Sequence, residues 1–289
     1  MRKKIEKLGK EEGRIDLSQI PKEQIQKWEE ALEKYSTTVT NPPVQIVLVQ
    51  HQQGFQIPVV RDDFLKAGSK QRALIPILKN HAAKEFVYAG PIYGYAQVAL
   101  SYTAKLAGKK ATLFLEKVPQ RHPLTEIAVG LGANVIEIEH GYLKKVQEEA
   151  EKYCANCGAE NIPFGLYAPE FLWTLKTQIQ RALPLDLKEP QRVWVVAGSG
   201  TLVSALHEIW PNSEFLIVQI GKWIRQEILA GMKHQLFIAP ERFQDDAQVP
   251  PPYPSSPNYD AKLWRFVEIH GQEGDLIWNV AGIAWEQED

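Results

Sequence analysis

Short apolar runs alternate with amphipathic stretches along most of this chain. The runs are VQIVLVQ (44–50), QIPVVR (56–61), EFVYAG (85–90), ATLFLE (111–116), NVIEIE (134–139), RVWVVAG (192–198), EFLIVQI (214–220) and DLIWNVAG (275–282). Their length and β-branched content predict strands, and apolar residues at consecutive positions predict strands buried on both faces. Between them, QVALSYTAKLAG, GYLKKVQEEAEKYC, EFLWTLKTQIQRAL and KWIRQEILAG repeat their apolar residues at helical spacing. Strands alternating with helices imply parallel βαβ crossovers and an open sheet with helices on both sides. In such sheets ligands sit beyond the carboxyl ends of the strands.

Two regions depart from the alternation. SQIPKEQIQKWEEALEKY has Pro21 placed to start a helix, with Ile25, Trp28, Ala31 and Leu32 on one face. It predicts an outer helix ahead of the first strand. QVPPPYPSSPNYD (248–260) holds five prolines, so a stiff irregular loop is expected there.

A chain of 289 residues, 44% of them hydrophobic, can fill one large α/β domain or two lobes sharing a cleft. A formal charge of −2 gives no broad basic field for nucleic acid or an anionic membrane. The opening MRKKIEKLGKEE mixes both signs without an apolar centre, and no apolar run has the length of a membrane span. A soluble cytoplasmic protein is the expectation. The two cysteines form one CANC pair (Cys154, Cys157) at a predicted helix end. With no second pair it reads as structural. His51, His81, His122, His140, His207, His234 and His270 show no metal-ligand spacing, so no metal is expected. Trp223, Trp264 and Trp285 are assigned to the core, with a partner surface as the alternative.

Three glycine-containing turns each follow a predicted strand and open a predicted helix: KAGSK (66–70), AGPIYGYAQ (89–97) and AGSGTLVSAL (197–206). In the third, Gly198, Ser199, Gly200 and Thr201 offer closely spaced N–H groups, two hydroxyls and a helix N-terminus, the parts of a phosphate cradle. It is neither a P-loop nor a GxGxxG fingerprint. Lys70, at the end of the first turn, sits where the helix dipole disfavours a cation. Positive potential and desolvation there lower the amine pKa and favour a neutral nucleophile. A cradle for a phosphorylated cofactor and a lysine that forms a Schiff base with its aldehyde are the pair that pyridoxal phosphate requires.

RDDFLKAGSKQRAL and AGSGTLVSAL together resemble the motifs of the tryptophan-synthase-β-like, fold-type II pyridoxal phosphate enzymes. Within them the chain is most similar to the 1-aminocyclopropane-1-carboxylate deaminase and D-cysteine desulfhydrase group. The similarity runs from about residue 56 to 282, and FVYAGPIYGYAQVAL, NIPFG (161–165) and NYDAKLWRFVE…GDLIWNVAG extend it. The resemblance implies a two-lobed, three-layer αβα fold of open parallel sheets. A helical extension is expected over 1–40, a cofactor lobe over 41–84 and 166–289, and a small lobe over 85–165. It further implies pyridoxal 5'-phosphate held by Lys70, Ser69, Gly198, Ser199, Gly200, Thr201, Asp260 at the pyridine nitrogen, and Asn279. Lys70, Tyr253 and Tyr259 are the expected proton-transfer groups, and Tyr93, Gly94 and Tyr95 the substrate contacts. The partner is a small amino acid substrate, and the assembly common in the family is a homodimer.

The chain also departs from the family. Ser69 stands for the usual Asn, Gly94-Tyr95 for a Ser-Asn pair that holds the substrate carboxylate, and Asn279 for Thr. The two tyrosines lie six positions apart, so a helical segment between them is missing. The expected activity is deaminase or lyase-type chemistry on an amino acid through Lys70. The alternatives are a β-replacement or modifying enzyme on a bulkier or tethered substrate admitted by the shortened loop, a non-catalytic cofactor-binding relative, and a nucleotide-binding protein using residues 198–201 alone.

Overall fold

The computed structural model describes residues 13–221 and 223–282. The opening charged segment up to residue 12, and Trp285, lie outside the described residues. A helix α1 (Lys22–Tyr35) leads into a hairpin of β1 (Ile46–Gln50) and β2 (Gln56–Arg61). Helix α2 (Gln71–Asn80) follows. Next come β3 (Glu85–Ala89), α3 (Ala96–Ala107), β4 (Lys110–Glu116), α4 (Pro123–Gly130), β5 (Asn134–Ile138), α5 (Leu143–Cys157) and β6 (Glu160–Ile162). The chain continues through α6 (Pro169–Ala182), β7 (Arg192–Ala197), α7 (Thr201–Ile209), β8 (Glu214–Gln219) and β9 (Lys233–Ile238), and closes with α8 (Trp264–His270) and β10 (Asp275–Asn279).

The strands form two sheets, a six-stranded one in the order β1-β2-β10-β7-β8-β9 and a four-stranded one in the order β5-β4-β3-β6. Every pairing is parallel except β1 with β2. The five residues 51–55 between those two strands are too few for a crossover, so they close an antiparallel hairpin. The strands and helices thus build the expected open α/β architecture, with one antiparallel edge, but of the helix expected over KWIRQEILAG the described residues form only a 3₁₀ turn, Gln226–Leu229.

Side-chain alternation along the strands of the large sheet feeds two layers. Val60, Val193, Val195, Phe215, Ile217 and Trp278 face the layer holding α1, α6 and α7, where Trp28 of α1 lies 5.6 Å from Trp173 of α6. Ile57, Val59, Trp194, Val196, Leu216 and Ile277 face α8. The first layer continues without a break into the small sheet, taking in Phe86, Tyr88, Leu113 and Leu115. The opposite face of that sheet packs on α5 through Val146 and Ala150.

The central strands match the expectation of burial on both faces, but the edges do not. Leu48 of β1 is 62% exposed, and β9 is only partly covered. The sequence reading missed β9, because KHQLFI carries polar residues at an edge where solvent accepts them. Trp264 is buried whereas Trp223 is exposed. Cys154 and Cys157 are free thiols at the end of α5. Among the described residues, no helix is long and apolar enough to cross a membrane, and no group of three or more acidic, His or Cys side chains is placed to hold a metal ion.

Candidate active site

The stretch that delivers Lys70 is braced by two buried ion pairs. Arg61, at the end of β2, forks onto Asp63 through Nε and Nη2 at 2.8 and 2.7 Å. Arg72, at the start of α2, donates to Asp62 at 2.6 Å and to Asn41 Oδ1 and Pro42 O. Both guanidinium groups are shielded from water, so each carboxylate balances a charge that could not be buried alone. Between these anchors the backbone turns at Gly68, with φ +59°. A Cβ at that glycine would lie 2.6 Å from the Val280 carbonyl oxygen and 2.7 Å from the Ala281 methyl. Only glycine lets the loop approach the end of β10 this closely. Ser69 N–H then donates to Val280 O at 3.1 Å, while Ser69 Oγ accepts from the Trp278 indole at 3.0 Å. The result is a fixed platform from which the Lys70 side chain enters a cavity.

Across that cavity lies the turn from β7 into α7. Ser69, Lys70, Gly198, Ser199, Gly200, Thr201 and Tyr259 all line it, and Phe171, Val196 and Val280 supply apolar wall. Gly200 is left-handed with φ +84°, directly before Thr201 opens α7. The first-turn amides of a helix have no intrahelical acceptor and attract an anion. Tyr259 Oη accepts the Gly198 N–H, and burial raises its phenol pKa.

Burial holds Lys70 below the ordinary lysine value, with the negative charge of Asp260 pulling the other way. Burial pushes Asp260 up to about 8 and Asp63 adds to the rise, opposed by the Val280 and Ala281 amides and by Lys70. The two Asp260 oxygens accept those two amides, at 3.1 and 3.2 Å. Asp260 therefore clasps the same 280–281 backbone that underlies Gly68 and Ser69. A lysine amine that gives up its proton more readily than usual, set against amides and hydroxyls, has the chemistry of a nucleophile beside an anion seat.

A turn from the small sheet closes over that seat. Gly165, just past β6, is left-handed with φ +70°, and its carbonyl accepts from Thr201 Oγ1 at 2.6 Å and more weakly from Ser199 Oγ at 3.4 Å. Its N–H donates to the Tyr88 hydroxyl of β3. A Cβ on Gly165 would lie 2.1 Å from Ser199 Cβ.

The remaining sequence-derived candidates lie outside the cavity lining. Tyr253 is buried edge-on against Trp264, 5.9 Å away, with Arg61 over its ring at 5.7 Å. Asn279 donates to Pro254 O at 3.1 Å and accepts from Ser255 Oγ at 2.8 Å, tying β10 to the proline-rich loop. Gly94 spends its N–H on Pro91 O, and Tyr95 Oη donates to Lys66 O at 2.9 Å. Tyr93 packs edge-on to His122 at 5.2 Å and to Phe243 at 5.9 Å. Sequence reasoning assigned no role to Arg61, Asp62, Asp63 and Arg72, although RDD and QR flank Lys70. Two acidic residues beside an arginine within an apolar stretch were the available signal, because such groups are buried only in pairs.

No family model matches the sequence, and no curated protein matches it. Solved structures do match. A 1-aminocyclopropane-1-carboxylate (ACC) deaminase homologue aligns over 89% of this chain and 95% of its own, at 15% identity and a TM-score of 0.70. Threonine deaminase isoform 2 from Solanum lycopersicum aligns over 91% and 85%, at 12% identity and a TM-score of 0.63. A pyridoxal 5'-phosphate-dependent aspartate racemase aligns over 89% and 95%, at 12% identity and a TM-score of 0.56. With two parallel sheets, helices on both sides and these neighbours, the chain has the fold of the fold-type II pyridoxal phosphate enzymes.

Proposed function

We propose that this protein binds pyridoxal 5'-phosphate through Lys70 and acts on an amino acid, with deaminase or lyase-type chemistry. The supporting observation is the opposition of a shielded, pKa-lowered Lys70 and the Gly198–Thr201 turn across one cavity. The residues present fit the cofactor. Glycines 198 and 200 leave the helix start open to a phosphate, to which the Ser199 and Thr201 hydroxyls would donate on leaving Gly165 O. Phe171, Val196 and Val280 offer apolar wall to a flat ring. The cofactor lobe is assigned to residues 41–84 and 166–289 and the small lobe to 85–165.

When bound, the cofactor supplies an electrophilic aldehyde and a ring that takes up negative charge developing at the substrate α-carbon. The chain's own groups do the rest. Lys70 Nζ, with its amine free, would take the proton from the substrate α-carbon. Tyr259 Oη, held by Gly198 N–H, stands on the same cavity wall as a second hydroxyl for proton transfer. Asp260 keeps the 280–281 backbone under the Lys70 loop and places negative charge near the amine.

The test is the visible absorption spectrum after addition of pyridoxal phosphate. Wild type should develop a band that Lys70→Ala, folded to the same degree, lacks. A band of equal strength in both proteins would refute the assignment. One observation favours a second reading, a cofactor binder without turnover. In the 91–95 turn, the Gly94 amide and the Tyr95 hydroxyl are spent within the protein. A band that no D- or L-amino acid alters would support that reading.

A further inference from the structure

Residues 14 and 15, ahead of α1 and outside the stretch that carries the family resemblance, hold three segments that meet at the Gly198–Thr201 turn. The Arg14 guanidinium donates through Nη1 to Ala230 O and through Nη2 to Glu208 Oε1, each at 2.9 Å. Glu208 belongs to α7, the helix that Thr201 opens, and Ala230 ends the 3₁₀ turn Gln226–Leu229 on the way from β8 to β9. One residue on, the Ile15 N–H donates to the Tyr167 hydroxyl at 3.1 Å. Tyr167 follows the Gly165 turn, and Arg225, directly before the 3₁₀ turn, lies over its ring at 5.8 Å.

That 3₁₀ turn packs directly against the anion seat. A Cβ at Gly200 would lie 3.0 Å from Ile228 Cγ2 and 3.4 Å from Ile224 Cγ2, so these two buried side chains press on the seat at its left-handed residue. Gln219, buried at the end of β8, ties the same pieces together. Its Nε2 donates to Ala197 O at 3.2 Å, and its Oε1 accepts the Ile224 N–H at 2.9 Å. A crossover between parallel strands usually carries a full helix, whereas four residues of 3₁₀ turn have few internal hydrogen bonds to hold Ile228 in place. Arg14 supplies a restraint from outside, fastening the end of that turn to the last turn of α7.

Building on the reading of Gly198–Thr201 as the seat of the cofactor phosphate, we propose that Arg14 is a positioning residue for that seat. With Ile15 it straps the 3₁₀ turn and the Tyr167 segment onto α7, which fixes Ile228 against Gly200 and sets the directions of the seat's amides. The strap touches neither phosphate nor substrate. Its loss lets the amides wander, so affinity for a phosphate group falls because ordering them must then accompany binding.

The test uses the full chain as wild type, Arg14→Ala, Arg14→Lys and Arg181→Ala. Arg181 is the control, because its surface ion pair with Glu33, also 2.9 Å long, joins α6 to α1 instead. Half-saturating concentrations are measured for pyridoxal phosphate by the visible band and for inorganic phosphate by calorimetry. Arg14→Ala should raise both by at least about fivefold, and should speed hydrogen exchange over residues 198–206 before any ligand is added. Arg14→Lys, which reaches one of the two acceptors at a time, should fall between, and Arg181→Ala should match wild type. If Arg14→Ala does not fold, Tyr167→Phe, which removes the acceptor of the Ile15 N–H and keeps the ring, should move the same readouts in the same direction. Unchanged affinities and exchange in the strap variants, or equal losses in Arg181→Ala, would overturn the proposal. If the Lys70-dependent band forms while Arg14→Ala behaves as wild type, only this inference falls. If wild type forms no such band and binds no phosphate, the functional assignment has failed and the strap with it.

Discussion

At the scale of single residues, the informative pair is Lys70 and Asp260. Burial favours the neutral form of each, so the amine loses its proton more readily and the carboxyl holds one longer than in water. Only the unprotonated amine attacks an aldehyde, so the initial rate of band growth with pyridoxal phosphate should rise with pH. Its midpoint should fall below 10.5, the ordinary lysine value. The Asp260 charge raises the Lys70 pKa, so removing it in Asp260→Asn should move the midpoint to lower pH. Stopped-flow rates across a pH series for both proteins would show this. A midpoint that stays put or moves upward would mean that Asp260 acts on Lys70 only through the 280–281 backbone.

At the scale of elements, the turn after β6 carries a contact between the loops of the two sheets. Gly165 and Gly158 have nearly the same left-handed φ, +70° and +73°, yet a Cβ at Gly158 meets nothing within 4 Å. Gly158→Ala should therefore cost only the conformational penalty, about 1 kcal/mol. Gly165→Ala adds a collision with Ser199 and should cost about 2–4 kcal/mol in denaturant unfolding. It should also weaken pyridoxal phosphate binding by shifting a cradle hydroxyl. Equal losses for the two variants would show that the turn does not press on the cradle.

The same scale shows what local pattern can and cannot carry. The strands β7, β8 and β10 were legible because continuous apolar runs such as RVWVV have few other stable placements. The two strands of the hairpin were legible as apolar runs, but their antiparallel pairing was not drawn, although five residues between them leave no room for a helix. Strand β9 was hidden by its polar residues. At the site, Lys70 and Gly198–Thr201 were readable because each lies in a compact motif whose residues are neighbours in sequence. Gly165 matters only because the turn after β6 meets Ser199 in the turn after β7. No local spacing encodes such a meeting.

At the scale of the whole molecule, one core layer runs through both sheets. Through it, β3 and β6 of the small sheet are held where Gly165, bonded to Tyr88, and Tyr93 reach the loops of the large one. The carboxyl ends of β6, β7 and β10 thus meet at a cavity whose lining includes Lys70. The central claim is that this lysine is the cofactor's attachment point. Its most direct test is reduction of the pyridoxal phosphate-treated protein with borohydride, followed by peptide mapping of the added mass. The expected result is stoichiometric mass on the peptide containing Lys70 and none elsewhere at equimolar cofactor. Mass scattered over exposed lysines, with the Lys70 peptide unmodified, would contradict the account.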